Sequence, residues 1–277
     1  MAKGNDGNYL QHCIEAEAAV RLAGRDTAGK LHIALTHGMR PFESFDKRGT
    51  GTRHELLLRK LMDANNKPQA EEPTVVKAYR ETGASDTRYP NSAELLRAVI
   101  GSENLSGGIT EMCSRKHKSL SSAWVNTNVK TACASWREEV HPEGILACPD
   151  DLQTPWLFSM DPMTYSERGN KDKNLNGPDI DILSDALGRY FSSGNPGFAA
   201  MFVYNVSKHN QIKFFQFVQD VKGCVVNNLT EHFEVSTSYL SLPHNEKGRR
   251  NLAGLIHSPQ IRLASKFKSA CIDIGLE

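Results

Sequence analysis

The sequence predicts an α/β fold built on a doubly wound, mostly parallel sheet with an antiparallel pair of strands at its C-terminal edge. Three observations carry this. Short apolar runs alternate with helical stretches of about 10–16 residues, the pattern of parallel βαβ units with right-handed crossovers. Two closing strand segments, near 232–240 and 251–257, have no helix between them and so are expected to pair antiparallel. The composition is that of an ordinary globular chain, with 277 residues, 39% hydrophobic and 23% charged. A single domain over 1–277 with a substantial core follows from that length.

The elements can be read in order. A helix is expected over 9–23, where Tyr9-Leu10-Gln11-His12-Cys13-Ile14 opens a run rich in Ala and Glu, ending near Gly24. Lys30-Leu31-His32-Ile33-Ala34-Leu35-Thr36 reads as a buried strand that stops at His37-Gly38. Residues 39–91 are mostly polar, hold Pro41, Pro68, Pro73 and Pro90, and contain one credible helix at about 52–64, so they read as a helical insertion or lid after strand one. Ser92 is expected to cap the helix that follows. Strands are then expected at 107–112, 129–134, 156–160 and 198–204, with helices at 114–124, 178–193 and 208–221 and a last helix from Ser258-Pro259.

Composition also excludes function classes. No run of about 18 apolar residues is present, so no membrane span is expected. The first residues, Met1-Ala2-Lys3-Gly4, carry no apolar core of the secretory type, so a cytoplasmic location is expected. The net charge of +1 lacks the basic excess of a protein that coats duplex nucleic acid. Basic clusters do occur at Arg115-Lys116-His117-Lys118, at Lys247-Gly248-Arg249-Arg250 and around Arg262, Lys266 and Lys268, and each reads as a solvated face or a phosphate track. The six cysteines are spread singly without C-x-x-C spacing, so no metal site is expected and reduced thiols are.

Ligands of doubly wound sheets bind beyond the carboxyl ends of the strands, which singles out four segments. Thr36-His37-Gly38 offers a glycine for close backbone approach to a ligand, or a simple turn. Glu111 suits the two hydroxyls of a ribose, or complements a helix dipole. At Ala134-Ser135-Trp136, the Ser suits a purine edge and the Trp its face, or the Trp is a buried anchor. The fourth is the most loaded: the apolar Trp156-Leu157-Phe158-Ser159-Met160 runs into Asp161-Pro162-Met163-Thr164-Tyr165. Pro162 ends the strand, so Asp161 is expected to face the crevice, where a carboxylate and the ring of Tyr165 suit a planar amine, or the segment is an ordinary Asp-Pro turn. A fifth segment, Gly4-Asn5-Asp6-Gly7-Asn8-Tyr9-Leu10-Gln11-His12, places Gly and Asn at a helix N-terminus, where free N–H groups favour an anion, or this composition arises by chance.

In this order along the chain, the Gly/Asn leader with Leu10-Gln11-His12, Thr36-His37-Gly38, Tyr89-Pro90-Asn91-Ser92, Thr110-Glu111 and the D-P-P-Y-like Asp161-Pro162-Met163-Thr164-Tyr165 resemble a known family. It is that of the bacterial methyltransferases acting on adenine N6 of 23S ribosomal RNA, with the related three-Cys-motif partner proteins. The resemblance implies a class I methyltransferase-like sheet and S-adenosylmethionine as cofactor. By position, it implies that Asn8 and His12 lie near the methionine end, His37 and Gly38 at the first turn, Glu111 at the ribose, and Ser135 and Trp136 at the adenine. Asp161 and Pro162 would hold the target amine and Tyr165 would stack on the target base. The chain departs from the family at Ala34-Leu35-Thr36-His37-Gly38-Met39-Arg40, which has one glycine and no acid, at Ala134-Ser135, where an acid is usual, and at Met163, which replaces a second proline.

The function expected is methyl transfer to an amine, adenine in RNA or DNA. The alternative is a non-catalytic module of the same fold that binds a nucleotide or a protein partner, favoured by the eroded glycine motif. A hydrolase using His37 or His257 has no G-x-S-x-G or H-E-x-x-H pattern behind it.

Overall fold

In the computed structural model the described residues are 6–24, 28–44, 55–56, 58–59, 72–85, 87–151, 153–161, 164–165, 174–175, 177–191, 197–207, 211–227, 234–242, 249–258 and 261, with backbone alone at 6, 164–165, 174–175, 191, 204–207 and 249–250. The 52–64 and C-terminal helices expected from the sequence fall mainly or wholly outside these residues, as does Pro162.

The main sheet is formed by β1 (Leu31–Leu35), β4 (Leu105–Thr110), β5 (Val129–Ala132), β6 (Trp156–Met160), β9 (Phe198–Ser207), β10 (Ser236–Ser241) and β11 (Arg249–His257). Their order is β10-β11-β9-β6-β1-β4-β5. β1 pairs parallel with β4 and with β6, β4 with β5, and β6 with β9, while β11 is antiparallel to both β9 and β10. This is a class I methyltransferase-like doubly wound sheet. The chain runs from β1 out to β4 and β5, then returns across β1 to β6 and β9, so its direction reverses between β1 and β6. The closing strands do not simply add on in order: β11 inserts between β9 and β10, which leaves β10 at the edge.

Alternation along the strands sorts the core onto two faces. Ile33, Leu35 and Leu157 pack with α1 (Asp6–Ala23), α3 (Ser92–Ile100) and α4 (Ser114–Ala123). Ala34, Trp156, Phe158 and Met160 pack on the other side with Trp136 of α5 (Trp136–Glu139) and with α6 (Gly177–Phe191) and α7 (Gln211–Asn227). The latter helix runs on past the expected end at 221 to Asn227, because its apolar positions Phe214, Phe217, Val218, Val221 and Val225 continue the buried stripe.

Between β1 and α3 the chain forms β2 (Phe42–Ser44), α2 (Thr74–Glu81) and β3 (Arg88–Pro90), with β2 and β3 paired as a small antiparallel ribbon. Val75, Val76, Ala78 and Tyr79 of α2 are buried with Tyr9 and Leu10 of α1, so this helix is built into the core. The cap of α3 differs from expectation. Asn91, extended at φ −76 and ψ 173, accepts the Glu94 amide at 2.8 Å. Its Nδ2 donates to the Gly38 carbonyl at 2.7 Å, tying the helix start to the turn after β1. Ser92 becomes the first helical residue and points into the buried cluster described next.

Candidate functional site

The turns after β1, β4, β5 and β6 lie along one edge of the sheet, because these strands are mutually parallel neighbours. His37, Glu111, Ser135 and Asp161 therefore share that edge, and His37 and Asp161 flank the point where the winding reverses. α1 crosses above it, in contact with β6, β9 and β11 and with α2 and α3. From Gly7 to Ala16 every residue of α1 is buried. Asn8, Gln11, His12 and Glu15 recur at helical spacing, so a polar stripe of an otherwise apolar helix faces the site.

Glu15 is the centre of that stripe. It is fully buried, and its Oε1 accepts Ser159 Oγ at 2.6 Å and Gln11 Nε2 at 2.9 Å. Its Oε2 is buried without a hydrogen-bond partner. Gln11 Nε2 also contacts His37 Nε2 and, at 3.2 Å, Ser92 Oγ. Burial pushes the Glu15 carboxyl up to about 7, against the opposing hydrogen bonds of Ser159, Gln11 and Ser92. Ser159 and Asp161 are two residues apart in extended chain, so both project to the α1 side of β6. Asp161 is likewise pushed up to about 7, first by desolvation and then by the charge of Glu15.

The histidines of the site are neutral. Desolvation pulls His37 down to about 4, and desolvation with the nearby His37 pulls His12 down to about 3. His12 Nδ1 is hydrogen-bonded to the Tyr79 hydroxyl at 2.6 Å, and its ring lies edge-on to that tyrosine. His37 Nδ1 and the hydroxyl of Thr110 are buried without partners, so unmet hydrogen-bonding capacity surrounds the ends of β1 and β4.

Beyond β4 and β5 the edge opens into a cleft of about 360 Å³ lined by Met112, Cys133, Ala134, Ser135, Arg137 and Glu138. Glu111 stands beside it, its carboxylate held by the backbone amides of Met39 and Cys113, both at 2.8 Å. Each oxygen has a lone pair to spare, so the carboxylate is oriented yet still able to accept a hydroxyl. Trp136 is not part of this cleft: it is 7% exposed and packed into the core, and the apolar wall is Met112, which is 49% exposed. Gly38 is also accounted for by protein packing. A Cβ there would meet Leu120 Cδ2 at 2.6 Å and Glu111 Cβ at 2.9 Å, so the missing side chain makes room for neighbours. A larger cleft of about 500 Å³, lined by His32, Lys130 and Asp150 among others, lies at the opposite edge and contains none of the residues singled out from the sequence.

Asn8 is 8% exposed on α1, one turn before His12. The backbone of Tyr165 pairs with Leu175 in the short ribbon β7 (Thr164–Tyr165) and β8 (Asn174–Leu175). His257 lies at the far end of β11, opposite Ala199 near the start of β9. It is bonded to Ser238 and the Ser258 carbonyl, so it cannot share a site with His37. Among the described residues no group of three or more His, Cys, Asp or Glu side chains could hold a metal ion. The described cysteines are free. No described helix is long and apolar enough to cross a membrane.

Comparison with known proteins adds to the fold. The chain is similar to a crystal structure. That protein comes from Legionella pneumophila str. Philadelphia 1 and is assigned to family model DUF519. The two superpose with a TM-score of 0.63 at 14% identity, over 99% of this chain and 95% of that one. No family model and no curated protein matches the sequence. At that identity the likeness speaks for the shared architecture.

Sequence reasoning missed Glu15 and Ser159, and it placed Gln11 and Ser92 in motifs without their roles in this cluster. Two signals were present: the polar stripe on the first helix, and a lone serine in the otherwise apolar Trp156-Leu157-Phe158-Ser159-Met160. Each needs the other to be read, because only packing α1 over β6 joins them.

Proposed function

We propose that the protein is an S-adenosylmethionine-dependent methyltransferase acting on an amine, with adenine N6 in RNA or DNA as the acceptor. The observation that carries the reading is the coincidence of three features at one sheet edge: the reversal of winding between β1 and β6, the carboxyl of Asp161 at that reversal, and the cleft at Ser135 beside the oriented Glu111. The residues present fit the cofactor. Glu111 has accepting capacity for ribose hydroxyls, Met112 offers an apolar wall for a flat base, Ser135 a hydrogen-bonding group at its rim, and His37 Nδ1 an unmet polar atom. Bound S-adenosylmethionine would supply an activated methyl group on a sulfonium sulfur.

In this reading Asp161 accepts a hydrogen bond from the acceptor amine and orients its lone pair, while α1 with its buried stripe keeps water from the reacting edge. Most of the catalysis is then positioning and exclusion of solvent. Glu111 and Ser135 hold the nucleoside. Calorimetric titration tests the cofactor, with saturable binding expected and no binding at millimolar concentration counting against it. Asp161→Ala tests the acceptor side: binding is expected to persist while methyl transfer to an RNA or DNA oligonucleotide is lost.

A second reading is a non-catalytic module of the same fold that binds a nucleotide or a protein partner. It is favoured by Gly38, whose missing Cβ leaves room for Leu120 and Glu111 rather than a ligand, and by the single glycine in this turn. Cofactor binding without transfer in the unaltered protein would decide for it.

A further inference from the structure

We propose that the buried Glu15 and the half-buried Asp161 form a carboxyl pair that holds a proton in the free protein and releases it when a cationic ligand enters, so that the site senses the sulfonium charge of its cofactor. This rests on the cofactor assignment made above and extends it to Glu15, which no sequence motif marks.

Charge balance within the cluster calls for a proton. Glu15 is fully buried, and its Oε1 is saturated by Ser159 and Gln11 while its Oε2 has no partner. An ionised carboxylate in such a place needs a counter-charge, since isolated buried charge costs several kcal/mol or more. Among the described residues, the groups that face the pair do not supply one. From α1 these are Gln11 and the neutral His12, from α2 Tyr79, from α3 Ser92, from the turn after β1 the neutral His37, and from β6 Ser159. Among the described residues no Lys or Arg forms an ion pair with either carboxyl. The unpartnered Oε2 is therefore where the proton of the free state resides, and both carboxyls lie on the same side of β6.

S-adenosylmethionine carries a sulfonium charge that its thioether product, S-adenosylhomocysteine, lacks; the two share adenine, ribose and amino-acid groups. Entry of the sulfonium would supply the missing counter-charge, ionise the pair and send the proton to solvent. After transfer the charge is gone, the pair takes a proton back, and the product is held less tightly than the cofactor. The carboxyl pair thus becomes a device for selecting cofactor over product.

Calorimetry of the full chain with each of the two compounds, in phosphate and in Tris near pH 7, reads the protons released directly. Between pH 6 and 7 the affinity for S-adenosylmethionine is expected to rise by up to about tenfold per pH unit, the limit for one proton released, and that for S-adenosylhomocysteine to change much less. In Glu15→Gln the difference between the two compounds should shrink, with Asp161→Asn as a second variant should Glu15→Gln fold poorly. Equal proton release by both compounds, or none by either, overturns this inference and leaves the cofactor assignment standing. Failure of both compounds to bind overturns the assignment and this inference with it.

Discussion

Glu15→Gln exchanges a buried carboxyl for a neutral amide of nearly the same shape, which makes it the most informative single change at the residue scale. The folded-state value of Glu15, about 7, lies above its ordinary 4.5, so the folded protein binds the proton more tightly than the unfolded chain. Stability from this group is fully present below about pH 4.5, is lost as pH rises toward 7, and changes no further above that. At roughly 1.4 kcal/mol per pH unit the loss is up to about 3 kcal/mol. Relative to the parent, Glu15→Gln should therefore gain stability between pH 5 and 8, read from urea midpoints. A constant offset between the two proteins across that range would contradict a buried neutral carboxyl. His12 and His37 work in the opposite sense. Their folded values lie below the ordinary 6.5, so their contribution is lost as pH falls from about 6.5 toward 4 and 3. His12→Gln should narrow its stability gap to the parent over that interval, which the same midpoints at pH 6.5 and 4.5 measure.

At the scale of elements, the link between α5 and α6 is an ion pair whose carboxylate is buried. Arg137 Nε and Nη2 contact the two carboxylate oxygens of Asp179 at 2.6 and 2.7 Å, and Asp179 is 1% exposed. Removing the guanidinium leaves the Asp179 charge buried without it, so Arg137→Ala should cost about 3–5 kcal/mol in chemical denaturation. The pair also anchors one wall of the Ser135 cleft, since Arg137 lines it. Within the sheet, Gly107 on β4 adopts φ +113, and a Cβ there would collide with the backbone of Ile33 on β1. Gly107→Ala must shift one of the two central strands, and a thermal midpoint well below that of the parent is expected. Unchanged stability would mean that β1 and β4 can separate more easily than their paired register implies. In sequence, Gly107-Gly108 marks only a weak strand; in the fold it is what allows β4 to lie this close to β1.

For the molecule as a whole, cofactor binding should appear as stability. A ligand that binds only the folded state adds about 2.7 kcal/mol at a concentration 100 times its dissociation constant, so the melting temperature should rise with S-adenosylmethionine. Ala134→Trp would fill the cleft lined by Met112 and Ser135. That variant should keep the unliganded melting temperature within a few degrees and lose the ligand-induced rise. A rise of undiminished size would place the ligand elsewhere, the cleft at Lys130 and Asp150 being the first alternative.

By itself the sequence determined the class of fold. Local apolar periodicity and the missing helix between the last two strands suffice for that, because secondary structure and crossover handedness follow from short-range patterns. It also marked the strand ends where Glu111, Ser135 and Asp161 stand, since strand ends are local features. The tertiary structure decided the rest. Trp136 turned into the core because Val140, Leu146 and Trp156 surround it there, Asn91 took the cap because its amide also ties down the Gly38 carbonyl, and β11 slipped between β9 and β10. Above all, Glu15 met Ser159 across 144 positions of chain. No local pattern encodes a contact of that separation: it exists because α1 packs across β6, and burial there, rather than residue type, makes a common glutamate into half of a proton-holding pair.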